Sequence, residues 1–205
     1  MTIKSRRDKN SEATRNALIQ KAGVLFGKHG FNNTSLGKIA EQARVTKGAI
    51  YHHFDNKEDI FAACYSEQAA KVANSVREVP LSDDPWLDTL KQFKAFLANA
   101  DIKGGMGVSI QEAITVLGWE KWRALDEKFT MGLLAQNIER LQAEKLLKPY
   151  RSALLADAIY GILINAMMSL VAAKDKEATR EELLLLLQDF ILGVMTESAR
   201  KKFSA

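Results

Sequence analysis

Two stretches near the end of the chain limit what it can fold into. Residues 153–173 are apolar on nearly every side, interrupted mainly by Asp157 and Asn165, and residues 180–200 contain five consecutive leucines, Leu183 to Leu187. A helix without a polar face must be covered on all sides. A bilayer is one cover, but the uncharged part, 158–173, falls short of the roughly 20 residues that a span requires. The better cover is protein. Two such helices in each of two chains form a four-helix interface, where Ala153, Ala156 and Gly161 permit close approach. The sequence thus predicts a homodimer joined through its last two helices, with no membrane span.

The rest of the chain agrees with an all-α fold. Ala, Leu, Glu, Lys and Gln abound, alternating strand-like runs are hard to find, and only 3 of 205 residues are proline. Trp86, Leu90, Phe93 and Leu97 fall at i, i+4, i+7 and i+11, a helical stripe. Helices are expected over 11–29 with Ser11 as cap, over 35–43 with Thr34 as cap, briefly over 46–53, and from Asn56 to about residue 79. Further helices follow over 108–117, 119–144, 153–173 and 180–200.

Charge divides the chain. Residues 1–61 hold 11 Lys+Arg against 6 Asp+Glu, and residues 62–205 hold 18 against 19. The excess positive charge therefore lies in the first third, which points to a polyanionic partner for that part. Two domains are read, 1–61 and 62–205. The N-terminus has no apolar signal-like core, and the single cysteine, Cys64, excludes an internal disulfide framework, so a cytoplasmic setting is expected.

The segment SLGKIAEQARVTKGAIYHHF, residues 35–54, concentrates the chemistry. Leu36, Ile39, Ala40, Val45, Ile50 and Phe54 have the spacing to hold two short helices against each other. What remains exposed on the second is Thr46, Lys47, Gly48, Ala49, Tyr51 and His52, a set suited to a DNA groove. Thr46 and the helix N-terminus can meet a phosphate, Lys47 adds a cation, and Gly48 and Ala49 leave room for base edges. Tyr51 and the histidines can donate to phosphate oxygens.

Residues 11–61 resemble the DNA-binding domain of TetR-family transcriptional regulators. The resemblance is carried by LFGKHGFNNTSLGKIAEQARV, TKGAIYHHF and DNKEDIF. It implies a three-helix DNA-binding head, a long connecting fourth helix, and a larger helical domain for ligand binding and dimerisation. By this resemblance Thr34, Thr46, Lys47, Tyr51, His53 and Lys57 sit where phosphates are touched, and Gly48, Ala49 and His52 where bases are met. One position departs from the pattern: Arg44 stands where the family usually has Gly. If φ is positive there, Arg costs on the order of 1 kcal/mol against Gly, a loss that contact with DNA could offset. VLGWEKWRALDEKF, residues 116–129, resembles a segment of one subgroup and names no ligand.

A ligand pocket in the second domain would draw on Phe93, Phe96, Met106, Trp119, Trp122, Phe129, Tyr160, Asn165, Met167 and Met168, although each alone reads as an ordinary core residue. These candidates bring little acidic lining, so a neutral or lipophilic effector is favoured over a cation. No metal or cofactor is expected. His52 and His53 are adjacent, so on a helix they point about 100° apart and do not readily share an ion. Phosphate-loop, His-Glu-x-x-His and Gly-x-Ser-x-Gly patterns are missing, so the chain does not read as an enzyme. The expectation is a dimeric, ligand-responsive repressor on a palindromic double-stranded operator. The alternative is a structural DNA-binding protein of the same fold with no effector.

Overall fold

The computed structural model describes residues 6–99 and 107–203, and among these every regular element is a helix. In chain order they are α1 (Arg6–His29), α2 (Leu36–Ala43), α3 (Lys47–Tyr51), α4 (Lys57–Arg77), α5 (Pro85–Ala98), α6 (Ile110–Leu117), α7 (Trp119–Ala143), α8 (Ser152–Ala172), α9 (Lys176–Val194) and α10 (Glu197–Phe203). The described residues form two compact units. One comprises 6–68 and 107–126, the other 69–99 and 127–203, so the division falls inside α4 and inside α7.

In the first unit, Leu18, Ala22 and Phe26 of α1 are buried with Ile39 and Ala40 of α2, Ile50 of α3 and Ile60 and Phe61 of α4. Each of the leucine, isoleucine and phenylalanine side chains contributes roughly 1.5–3 kcal/mol by leaving water. Phe26, Phe31 and Phe61 form a ring cluster with centroids 5.1–5.8 Å apart. α1 begins upstream of Ser11, contrary to expectation. Nothing in RRDKN breaks a helix, and Asp8 lies in the first turn, where the dipole favours an anion. Gly30 ends α1 in the left-handed region, φ 77°.

The cap of α2 is Ser35, whose Oγ accepts from Lys38 N–H at 3.2 Å. Thr34, expected in that role, is buried instead, and its hydroxyl donates to the Gly30 carbonyl at 2.9 Å. Asn56 caps α4 as expected, accepting from Asp59 N–H at 2.9 Å.

In the second unit, Asp84 caps α5 ahead of Pro85. Trp86, Phe93 and Leu97 of the expected stripe are buried. The final helix expected over 180–200 is broken. Met195 takes an extended conformation and pairs with Leu147, while Thr196 N–H donates to the Leu146 carbonyl at 2.8 Å. A tertiary backbone contact therefore ends α9, and α10 starts afresh. α8 is long and apolar enough to cross a bilayer, yet half of that stretch is buried within its own fold.

Candidate nucleic-acid interface

α2 and α3 meet through buried Ile39, Ala40 and Ile50. They approach closely enough that a Cβ on Gly37 would stand 3.3 Å from Lys47 Cε. The turn between them is a Schellman closure. Val45 N–H donates to the Ala40 carbonyl at 3.0 Å and Arg44 N–H to the Glu41 carbonyl at 3.1 Å. This geometry puts Arg44 at φ 56°, ψ 42°. A side chain pays there for a conformation Gly adopts freely, and Gly in turn loses more chain entropy on folding. Arg44→Gly is expected to raise stability by about 0.5–1 kcal/mol, read as a higher urea midpoint at unchanged slope.

Thr46 caps α3, its Oγ1 accepting from Ala49 N–H at 3.2 Å. Around it Thr46, Lys47, Gly48, Tyr51 and His52 are exposed, Tyr51 to 60%, and Ala49 and His53 are half-buried. Gly48 is informative. A Cβ there would meet only Thr46 Oγ1, at 3.8 Å, so the protein itself has room for a side chain. Gly in a helix costs about 1 kcal/mol against Ala, and the fold gains nothing visible in return. The rings of His52 and His53 lie 5.0 Å apart. Burial, then His52, then Arg15 lower the pKa of His53, which favours the neutral imidazole. Neutral His53 can donate an N–H to a phosphate but brings no cation.

Two residues assigned to phosphate contact have partners inside the protein. Thr34 is 1% exposed, and its hydroxyl is held by backbone carbonyls. Lys57 Nζ donates to the Phe31 carbonyl at 2.9 Å and lies 4.0 Å from the Phe31 ring centroid. Cys64 is likewise inward. Its thiol donates to the Ile19 carbonyl at 3.3 Å, and burial, with Glu67 nearby, pushes its pKa up to about 12. It supplies no thiolate at neutral pH. Among the described residues no three His, Cys, Asp or Glu side chains group as a metal site.

The residues assigned to a ligand pocket scatter. Phe93 and Phe96 line a small cavity of about 30 Å³ in the second unit, together with Val76, Leu134, Gln92 and Asn137. Trp122 is fully buried in the first unit, beside half-exposed Trp119 and 6.3 Å from Tyr65. Asn165 is exposed and donates back to the Gly161 carbonyl at 2.9 Å. Tyr160 and Met167 are buried, Phe129 and Met168 half-buried, and Met106 lies outside the described residues. Sequence reasoning missed the cavity's amide pair, in which Asn137 Nδ2 donates to Gln92 Oε1. Two amides on different helices carry no periodic signal.

An all-α chain with a helix-turn-helix presenting a small, polar recognition helix defines a DNA-binding regulator, and comparison with known proteins agrees. Residues 18–64 match the family described as bacterial regulatory proteins, tetR family, and residues 86–194 match the tetracyclin repressor-like C-terminal domain. The chain belongs to the TetR family of DNA-binding transcriptional repressors, which are not enzymes. It is 24% identical to the transposon Tn10 TetC protein of Escherichia coli over 95% of this chain and 98% of the relative. A TetR-family regulator from Pectobacterium atrosepticum shares the fold with a TM-score of 0.75 at 23% identity, over 95% of this chain and 99% of the other. RolR, solved in complex with resorcinol, has a TM-score of 0.69 at 19% identity, covering 95% of both chains.

Proposed function

We propose that the protein is a cytoplasmic, homodimeric, ligand-responsive repressor. It binds a roughly palindromic double-stranded operator by placing one α3 in each of two successive major grooves. The observation that carries this is the surface of α3: a cap, a cation, an exposed Tyr51 and His52, and a glycine that the fold does not need. Gly48, Ala49 and His52 meet base edges. Thr46, Lys47, Tyr51 and His53 position the helix on phosphates, and Arg44, exposed beside them, reaches the backbone. The roles assigned to Thr34 and Lys57 shift to bracing the head, because their polar atoms are engaged within it. Two heads spaced about 34–36 Å apart match one DNA turn.

Dimerisation rests on α8 and α9, where Leu154, Leu185 and Leu186 are more than half exposed on one chain. Effector binding rests on the cavity, whose lining carries no charged side chain. The Gln92–Asn137 pair leaves Gln92 Nε2 and Asn137 Oδ1 to receive a hydroxyl group. These features suit a neutral molecule such as a phenol, the class of ligand held by RolR. The cavity as it stands equals about one water, so an effector must displace the surrounding side chains. That tightness is what favours the second reading, an effector-independent structural DNA-binding protein.

The test is binding to the DNA flanking the protein's own gene, against random duplex, across a salt series. A large specificity ratio over two half-sites is expected. Equal, steeply salt-dependent binding to both duplexes would favour the structural role. Substitutions of Ala49 or His52 are expected to change operator preference by about 1–3 kcal/mol at single base pairs. A uniform loss across operators would restrict them to positioning. Resorcinol, benzoate and benzylamine then probe the effector site, with release by resorcinol alone expected. Release by benzylamine would oppose a neutral effector, and release by none would favour the structural reading.

A further inference from the structure

Phe31, in the turn between α1 and α2, is gripped from two sides. Its N–H donates to Glu112 Oε1 of α6 at 2.7 Å, and its carbonyl accepts from Lys57 Nζ of α4 at 2.9 Å. An anion on the N–H and a cation on the carbonyl make both bonds charge-assisted, the stronger kind. The Phe31 ring packs against Phe26 and Phe61. Gly30 next door has no room to spare, since a Cβ there would stand 3.2 Å from Glu112 Oε1.

The sequence around Glu112 shows that this contact is a diversion. Ser109-Ile-Gln-Glu112 is a capping box, and its first half is made, with Glu112 N–H donating to Ser109 Oγ at 3.1 Å. In the usual arrangement the glutamate returns to the N–H of the capping serine. Here the carboxylate crosses to Phe31, 81 residues away in sequence. The start of α6 is fixed on its other side by Gln68 of α4. The Gln68 amide accepts from Val108 N–H and donates to the Val108 carbonyl, both at 3.0 Å. α6 is thus tied at one place to α4 and at another to the turn that leads through Ser35 into α2 and α3.

We propose that Glu112 is a positioning residue for DNA recognition: by holding Phe31 it fixes the α1–α2 turn, and with it the helix-turn-helix, in the geometry that meets the operator. This rests on the DNA-binding reading but not on the existence of an effector.

Simple electrostatics gives the opposite sign. Glu112 is an anion in the unit that binds a polyanion, so its removal alone would strengthen binding to any DNA. The test uses the duplex that the wild-type protein selects from a random pool, compared with an unselected duplex. The variants are Glu112→Ala, Glu112→Asp, which keeps the charge but not the reach, and Glu112→Gln, which keeps the acceptor. Ala and Asp are expected to weaken binding to the selected duplex by ~10-fold and leave the unselected duplex unchanged or slightly tighter. Gln is expected to stay within about threefold of wild type. Wild-type or tighter operator binding by Ala and Asp would overturn the proposal. So would a parallel loss on both duplexes, which would mark Glu112 as a folding residue only. If the Ala variant does not fold, Asp carries the same comparison.

Discussion

Replacing Asp88 with alanine is expected to destabilise the protein by about 3 kcal/mol, at the low end for breaking a buried ion pair because Arg140 is partly exposed. Asp88 is fully buried, and its carboxylate accepts from Ser82 N–H at 2.9 Å, Ser82 Oγ at 2.8 Å and Arg140 Nη2 at 2.9 Å. The same Arg140 nitrogen donates to the Ser82 carbonyl at 2.9 Å, so the pair pins the turn before α5 to α7. Removing the carboxylate deprives Ser82 N–H and the half-buried guanidinium of the acceptor they share. Burial alone would push the Asp88 pKa up. The Ser82 N–H, the Ser82 hydroxyl and then Arg140 outweigh it and hold the pKa below the usual carboxylate value. The contribution of Asp88 is therefore complete above the unfolded value of about pH 4 and is lost as pH falls through the lower folded value. Urea titrations at pH 7 and at pH 3 measure both effects. Asp88→Asn should be less stable than wild type at pH 7, and the gap should narrow in acid. A gap that stays constant with pH would remove the charge from the account.

The double substitution Leu185→Glu, Leu186→Glu is expected to produce a monomer by sedimentation and to weaken operator binding by ~100-fold or more, because one head can no longer hold the other near its half-site. The two leucines are 63% and 59% exposed on one chain. Each would contribute roughly 1.5–3 kcal/mol on full burial, and symmetry doubles the number. Beside them runs a groove of about 410 Å³ lined by Ala158, Gly161, Ile162 and Asn165 of α8 with Leu183 and Leu186 of α9. The small residues in its lining would allow a helix of a second copy to approach closely. Carboxylates at 185 and 186 would have to be desolvated there without partners. Helical circular dichroism should persist, since neither position is buried in its own chain. An unchanged sedimentation coefficient would take this face out of the dimer.

Much of this was legible before any coordinates, for identifiable reasons. The helix-turn-helix could be read because its information is local. Caps, a turn and a few apolar positions fall within twenty residues, whereas the left-handed turn at Arg44 is only a condition suggested by the family pattern until the structure places it. The apolar face of α8 and α9 could be read because an uncovered leucine run has few physical solutions. Features that depend on distant partners left no local signal. Thr34 is a nearer ambiguity: two adjacent hydroxyl residues both suit the cap, and the Thr34 hydroxyl turns back to Gly30 and Leu25 while Ser35 does the capping. Lys57 looks like a free cation until Phe31 is placed beneath it. The end of α9 is set by residues near 147, and the aromatic set chosen for a pocket divides between two units because hydrophobicity does not say which core a ring joins.

The break after α9 also has a kinetic side. Lys148 N–H donates to the Val194 carbonyl at 3.0 Å and Lys148 Nζ to the Gly193 carbonyl at 2.7 Å. With the Thr196–Leu146 bond beside them, these contacts clasp the α8–α9 hairpin at its base. Closing a flexible loop of that length costs on the order of 3 kcal/mol of chain entropy, a cost that these contacts meet within one chain. If two copies associate through α8 and α9 as proposed, their encounter is expected to resemble the docking of finished surfaces more than mutual folding, with a rate limited by orientation rather than by the ordering of either chain.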